Sequence, residues 1–482
     1  MGEGCIDGVR GLGESWGSSM KKSPDSSSLL ARRDFVKTTG AVAGVSALAG
    51  VRLPHVFAAG SDQIQVALVG CGGRGTGAAR NALSQKGSPK LVAMADVFQH
   101  KLNNSYNSLS NAFKDQVDVP DNRKFIGFDG YKNAMDCLKP GDIAIFTTPL
   151  AFRWVHFKYA IEKGLNVFME KPVTADGPTS KRMLELAKQA SAKNLKVGVG
   201  LMSRHSHSLQ ELRKRILDGE IGDVNMLRGY RMQGTIGSVF SEKWPGEPNE
   251  LLWQISRFHS FLWASGGGFS DFYIHHIDHL CWIKNAWPVK AHGVGGRTFR
   301  NSPNGGVYVD QNLDSYAVEY TFADGAKMFM DGRCMNGALP IYSSYAHGSK
   351  GMAICSKAGD CGRPSSLYKG QNADKENLIW TSDSKAPDDP YFNEWEDLLD
   401  AIRNDKPYNE AENGVMASVV TSMGRYATHT GREITLEEML NHPHEFAPDV
   451  DKLTMDSPAP VRADANGLYP VPEPGRKTDR EY

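Results

Sequence analysis

An α/β fold is predicted for this 482-residue chain: an N-terminal doubly wound parallel sheet, then a C-terminal α/β domain on an open, largely antiparallel sheet. Three observations carry that expectation. Between Gln63 and about Met202, short apolar runs alternate with stretches of helical period, the pattern of strands covered on both faces. After Ser203 the rhythm changes to neighbouring runs that alternate apolar and polar residues, which suits an antiparallel sheet with one covered face. A hydrophobic content of 40% and a charged content of 23%, over a chain this long, suit two domains with real cores plus appendages. Lys+Arg and Asp+Glu both number 55, so net charge gives no sign of a nucleic-acid or membrane-surface partner.

The first sheet draws strands from Ile64–Gly70, Lys90–Asp96, Lys124–Phe128, Asp142–Thr148, Asn166–Glu170 and Leu195–Met202. Helical patterns near Gly75–Leu83, Leu102–Phe113, Tyr131–Leu138, Trp154–Glu162 and Thr179–Lys193 separate them. A helix at Leu209–Leu217 then precedes strand-like runs at Asp223–Met232, Val289–Phe299, Ser315–Phe322, Ala326–Cys334 and Gly351–Ser356. The Phe322-Ala323-Asp324-Gly325-Ala326 segment reads as a hairpin turn. Helices near Asn393–Arg403 and Gly414–Thr428 close the second domain. The expected boundaries are a leader at 1–60, a first domain at 61–202, a second domain at 203–450 and an extended, proline-rich tail at 451–482.

The segment IQVALVGCGGRG, from Ile64 to Gly75, gives the first domain its chemistry. A strand feeds Gly70, Gly72 and Gly75 at G-x-G-x-x-G spacing, with Gly73 and Arg74 inside the loop. The first glycine permits the tight turn, the second lets the backbone approach a pyrophosphate, and the third lets the next helix pack close with its N-terminal amides on the phosphates. The next apolar strand ends in Asp96, a carboxylate able to accept from both ribose hydroxyls and to repel a 2′-phosphate. Strand, glycines, helix, strand and acid in that order predict a Rossmann domain that binds NAD in preference to NADP. Thr147, Thr148 and Pro149, at the end of the fourth strand, are placed along the nicotinamide half.

Two further motifs stand out. In Asn166-Val167-Phe168-Met169-Glu170-Lys171-Pro172 a strand delivers Lys171 to the carboxyl end of the sheet, where such sheets bind ligand, and a proline stops it. The stretch from Gly266-Gly267-Gly268 to Leu280 reads as a glycine approach and then a helix. Asp271 and His275, four apart, share a face of that helix, and histidine is suited to moving a proton near neutrality. A D-x-x-x-H pair is also a metal half-site, but no second ligand cluster accompanies it, so no metal is expected.

Together the loop Gly70-Cys71-Gly72-Gly73-Arg74-Gly75, Asp96, the Glu170-Lys171-Pro172 triplet and the glycines leading to Asp271 and His275 resemble the glucose-fructose oxidoreductase / inositol dehydrogenase (Gfo/Idh/MocA) family. The resemblance runs from about Ile64 to Leu440. It implies an NAD(P)-dependent oxidoreductase acting on the CH–OH of a sugar or polyol, with the substrate between the domains and an open sheet that often makes a homo-oligomer interface. It also places Lys171 on the reacting hydroxyl and the nicotinamide ribose, Glu170 beside the cofactor, and Asp271 and His275 in the same pocket. A cis bond before Pro172 is frequent in the family. Many members have glycine where this chain has Tyr273, and His276 adds bulk beside it, so both are expected at the substrate. His275 is then the general base, Lys171 the cation on the developing alkoxide, and Asp271 the residue that holds His275 or a neighbouring hydroxyl.

Other residues leave alternatives open. Arg204, with His205 and His207, follows the last Rossmann strand and is a candidate for substrate hydroxyls or an ordinary surface residue. Trp253, Arg257 and His259 precede the glycines and either meet a sugar or serve packing; Arg425, Tyr426 and His429 are read as structural. Arg32-Arg33-Asp34-Phe35-Val36-Lys37 before the apolar run Ala41–Val51, with small residues at Val56–Ala59, resembles a twin-arginine export signal and predicts a periplasmic or otherwise exported protein. The apolar run is short for a membrane span, so none is expected in the mature protein, and Met20 is a candidate start. Cys355 and Cys361 either pair or stay free. Export suits a retained cofactor. It keeps two rivals in view: an NAD-dependent glycosidase that oxidises transiently and eliminates, and a non-catalytic nucleotide- and sugar-binding protein.

Overall fold

The structure is a computed structural model that describes residues 63–87 and 89–482. The export motif, the candidate start Met20 and the small residues at Val56–Ala59 lie outside the described residues.

Six parallel strands form the first sheet: β1 (Gln65–Val69), β2 (Lys90–Asp96), β3 (Lys124–Ile126), β4 (Ile143–Phe146), β5 (Asn166–Met169) and β6 (Val197–Val199). Their order is β3-β2-β1-β4-β5-β6, with the switch point between β1 and β4. The helices between them are α1 (Gly73–Leu83), α2 (Gln99–Ala112), α3 (Gly130–Asp136), α4 (Arg153–Lys163) and α5 (Gly177–Ala192). Burial on both faces explains the uninterrupted apolar runs of β1, β2 and β4. Asp176 caps α5 by accepting from the Thr179 amide at 2.9 Å, which starts the helix at Gly177 after the turn that carries Lys171 and Pro172.

The second half contributes α6 (His207–Leu217), β7 (Val224–Gln233), α7 (Glu250–Ser256), α8 (Leu262–Ser265) and α9 (Gly267–Lys284). Then follow β8 (Lys290–Gly296), β9 (Ser315–Thr321), β10 (Lys327–Cys334), β11 (Ile341–Gly348), β12 (Gly351–Ser356), β13 (Ser366–Lys369) and β14 (Leu378–Thr381). The series ends with α10 (Pro390–Arg403), α11 (Ala411–Thr430), β15 (Ile434–Thr435) and α12 (Leu436–Asn441). The nine strands run β14-β13-β12-β11-β7-β10-β9-β8-β15; β7 pairs parallel with β10, and the other pairings among the described residues are antiparallel. In β10 burial alternates residue by residue, with Met328, Met330, Gly332 and Cys334 turned to the core. Helices α9 and α11 pack against this sheet; Gly424 of α11 leaves room for the Tyr320 ring, since a Cβ there would lie 2.1 Å from its hydroxyl.

The sequence reading misses β11, β13, β14 and β15. Strand β11 carries Ser343, Ser344, Ala346 and Gly348 at its buried positions, so it shows no apolar alternation. Its buried Ser344 hydroxyl is satisfied instead by His279 Nε2 at 2.8 Å. The glycines ahead of Asp271 differ from a flexible approach: Gly266 and Gly267 turn at φ +70° and +75° into α9, and a Cβ on Gly268 would sit 2.8 Å from Val239. Six described cysteines are free, Cys355 and Cys361 included. Residues 451–482 run back over the body. Glu481 ends in the core, its carboxylate bound by Arg425 Nε at 2.8 Å and Arg425 Nη2 at 3.0 Å.

Candidate active site

At the carboxyl end of β1 the chain turns through Gly70 at φ +97°, where a Cβ would stand 2.7 Å from the Thr148 amide. Gly75 sits so close to β1 that a Cβ would fall 2.0 Å from the Gly70 carbonyl oxygen. Gly72 and Gly73, by contrast, meet nothing within 4 Å. The turn is therefore tight where helix meets strand and bare where the backbone faces open space. The first amides of α1, which have no acceptor inside the helix, point from that bare edge. Asp96 accepts from the Cys71 amide at 2.6 Å and the Phe98 amide at 2.9 Å, one on each oxygen, and each oxygen keeps a second lone pair for a diol. A cleft of about 170 Å³ runs along these groups to Thr147, Thr148 and Pro149. Bare glycine backbone, free helix amides and a carboxylate with spare acceptor capacity fit a dinucleotide.

A second cavity of about 410 Å³ adjoins this cleft, and Arg74, Thr147, Thr148, Pro149 and Phe258 line both. Lys171, Asp271 and His275 line the second cavity. The Lys171–Pro172 peptide is cis. Lys171 Nζ donates to the Asp271 carbonyl oxygen at 2.6 Å and lies 3.6 Å from its carboxylate. The other carboxylate oxygen of Asp271 is 3.3 Å from His259 Nε2. His259 Nδ1 accepts from the Ser238 amide at 3.2 Å, which leaves Nε2 as the nitrogen that donates to Asp271. Burial alone would raise the Asp271 carboxyl, yet Lys171, His259 and His275 hold it well below the usual carboxylate range.

Asp271 thus engages Lys171 and His259 rather than His275. His275 is buried, its Nδ1 has no hydrogen-bond partner, and burial pushes the imidazole down to about 3 against the opposing pull of Asp360. Asp360 is held by Arg231 at 2.9 Å, and both residues line the cavity. Burial would raise Asp360 as well, but His275, Arg231 and His276 keep it below the usual range. Arg153 is turned to the backbone, donating to the carbonyls of Phe146 and Thr148. Phe258, Phe272 and Tyr391 supply aromatic wall.

Four expected site residues stand elsewhere. Glu170 lines the second cavity, not the cofactor cleft, and accepts from Arg74 Nε at 2.5 Å; it positions Arg74, whose guanidinium also lies over the Tyr391 ring at 4.6 Å. Tyr273 is in the core, packed on Phe269 and Tyr316 and filling the space left by Gly332, where a Cβ would fall 1.9 Å from its ring. It is two residues along the helix from Asp271, so it leaves the cavity-facing side. His276, one residue past His275, is fully buried against His279 and Tyr342 behind the cavity wall. Arg204 is claimed by Asp278, with three contacts between 2.7 and 3.2 Å, and does not line the cavity. Conversely, Arg231, Asp360 and Tyr391 escape a sequence reading, since each arrives from a separate segment with no local pattern. For His259 the signal was its place ahead of the glycine run. Among the described residues no group of three or more metal-ligating side chains comes together. No described helix is long and apolar enough to cross a membrane.

With this geometry in place, comparison with known proteins agrees at the level of the first domain. Residues 64–201 match the Gfo/Idh/MocA model, an oxidoreductase family with an NAD-binding Rossmann fold. The N-terminal domain is therefore similar to the NAD-binding Rossmann domains of that family. Inositol 2-dehydrogenase of Corynebacterium glutamicum is 31% identical over 101 residues, which is 21% of this chain and 29% of that relative. Over the larger span the likeness is one of fold. The aldose-aldose oxidoreductase of Caulobacter crescentus, solved with glycerol, superposes with a TM-score of 0.59 at 16% identity, over 78% of this chain and all of that one. The myo-inositol 2-dehydrogenase of Lactobacillus plantarum gives 0.55 at 20% identity, over 78% of this chain and 99% of that one.

Proposed function

We propose that this protein is an NAD-dependent dehydrogenase that oxidises a secondary hydroxyl of an uncharged sugar or polyol. One observation carries the reading: Lys171 and His275 face a single cavity whose wall at Thr147, Thr148 and Pro149 is shared with the dinucleotide cleft. Bound NAD supplies the hydride acceptor. His275, neutral in its buried position, takes the hydroxyl proton, and the Asp360 carboxylate steadies the imidazolium that results. Lys171 donates to the same oxygen as its charge grows. Asp271 keeps that ammonium aimed, and His259 in turn keeps Asp271 oriented.

Charge pairing supports an uncharged substrate. Arg74 is matched by Glu170, Lys171 by Asp271 and Arg231 by Asp360, while Arg153, the fourth cation lining the cavity, has no carboxylate partner among the described residues and spends its terminal donors on the Phe146 and Thr148 carbonyls. A ligand carboxylate would have to displace one of these anions, whereas hydroxyls can join the existing pairs as donors and acceptors. Asp96 favours NAD over NADP in this reading. Export by the twin-arginine route and a retained cofactor extend the same reading. So does self-association through the outer sheet face, where Tyr230, Met232, Phe329 and Tyr345 are half-buried.

The test is reduction of NAD⁺ by the purified protein with neutral hexoses and cyclitols, set beside the matching aldonic and uronic acids. NADH formation with a neutral member and none with the acids is expected. A preference for the acids, or release of free sugar from glycosides without NADH, would overturn the reading.

A further inference from the structure

The cofactor cleft is not made by the Rossmann domain alone. Ile255 at the end of α7 and Phe258 just beyond it also line it, and Phe258 continues into the second cavity. These residues roof the cleft from the C-terminal half of the chain. A helix of seven residues has little stability of its own, so its position is set by what packs on it.

What packs on it is the tail. Asn249 Nδ2 donates to the Met455 carbonyl at 2.6 Å, and Gln254 Nε2 to the Val461 carbonyl at 2.7 Å. Glu250 accepts from the Ala463 amide at 3.2 Å and from the Tyr469 hydroxyl at 2.7 Å. The Tyr469 ring stacks on Trp253 at 6.1 Å and meets the edge of Phe261 at 5.0 Å. Gln254, fully buried, also accepts from Trp263 Nε1 at 2.7 Å, which ties the roof to α8.

We infer that residues 455–469 are a strap that holds α7 over the cleft and thereby sets how fast the dinucleotide leaves. The inference rests on the reading that this cleft takes NAD. A ligand beneath Ile255 and Phe258 escapes when that roof lifts, and lifting it breaks the tail contacts first. Residence time, more than affinity for open cleft, is the quantity the strap controls.

The experiment measures release of NADH from the full-length protein, by its fluorescence, after a chase with excess NAD⁺. Truncation is avoided because it would also remove Glu481 and leave Arg425 buried and unpaired. Tyr469→Ala removes the ring stack and the hydroxyl to Glu250, and release about tenfold faster is expected. Asn249→Asp is the milder variant: it keeps the acceptor that caps α7 through the Leu252 amide at 2.9 Å but loses the donor to Met455. Release a few-fold faster, with the melting temperature of the NAD-free protein unchanged, is expected of it. Release at the parent rate in both variants would overturn the strap while leaving NAD binding intact. Failure of the parent protein to bind NADH would instead overturn the strap and the dehydrogenase reading together.

Discussion

Replacing Lys171 by Met tests the proposed chemistry most directly. The ammonium is held 2.6 Å from the Asp271 carbonyl and 3.6 Å from its carboxylate, at the end of β5. The substitution preserves much of the side chain's length and removes its charge. If Lys171 is the donor that meets the growing alkoxide, kcat falls by about 10²–10³, the usual loss for one preorganised donor. A second effect must be kept apart from the first. Both side chains are 13% exposed, so Met takes away the cation beside Asp271 and leaves His259 at its other carboxylate oxygen. Breaking such a buried pair costs about 3–5 kcal/mol of stability. The double variant Lys171→Met/Asp271→Asn removes the stranded charge, so its unfolding midpoint in urea returns toward the parent value. Its kcat stays low, because no donor has been restored. Steady-state NADH formation and NADH binding are measured on all three proteins. A single variant that turns over within about threefold of the parent would refute the role of Lys171. So would a double variant that regains kcat along with stability.

Three further outcomes follow from the same geometry. Asp96→Ser removes the carboxylate that the proposed reading sets on the ribose, and Lys101, whose ammonium lies over the Phe98 ring in the same cleft, remains to meet a 2′-phosphate; the ratio of NAD⁺ to NADP⁺ affinity is expected to fall by about tenfold or more in direct titrations. Gly332→Ala would drive a Cβ into the Tyr273 ring and cost about 1–3 kcal/mol in denaturant unfolding, with the KM for a substrate unchanged once folded, since Tyr273 is core rather than pocket. His156, His275, His276 and His279 are each pushed down to about 3 by burial, so their contribution is present above the unfolded value of 6.5 and is lost as pH falls toward 3, by up to about 1.4 kcal/mol per pH unit each. His205 runs the other way: Asp397 and Glu410 overcome burial and raise it to about 10, so its contribution is full below 6.5 and is lost as pH rises through about 10. Unfolding free energy measured across pH is therefore expected to peak near neutrality.

What could be read from sequence was local. The turn from β1 into α1 and the acid at the end of β2 are contiguous signals, and each glycine's spacing maps onto a distinct steric need. Asp271 and His275 share a helix face because they are four apart, and the structure brings both to one cavity. The same periodicity argues against Tyr273 and His276, at two and one residues from those positions, and weighting it over family pattern would have kept them out of the pocket. Arg204 is different. Nothing local announces that Asp278, on a helix 74 residues away, will claim its guanidinium. Asp360 is also invisible, because it sits in a loop after β12 with neither periodicity nor motif, and its meaning comes from Arg231 across the sheet. Strand β11 is hidden for a packing reason: α9 lies so close that small, polar residues occupy its buried side.

The two chemical motifs, 100 residues apart, meet through a cation that touches neither cavity. Arg425, fully buried in α11, donates to the Ala175 carbonyl at 2.6 Å in the segment that follows Lys171-Pro172. The same guanidinium donates to the Ser270 hydroxyl at 2.6 Å, one residue before Asp271. A single planar group with donors in fixed directions therefore ties the backbone behind Lys171 to the start of the helix that carries Asp271 and His275. Such a charge is tolerable in the core because Glu481 meets it on two nitrogens, and Arg425 in return holds the Glu481 carboxyl down to about 2 against the effect of burial. His429, kept neutral by burial, adds its Nδ1 at 2.9 Å to the same carboxylate. The distance between Lys171 and Asp271 is thus set by an ion pair whose acid comes from the far end of the chain. The tail belongs to the architecture of the site as much as the glycine turn does.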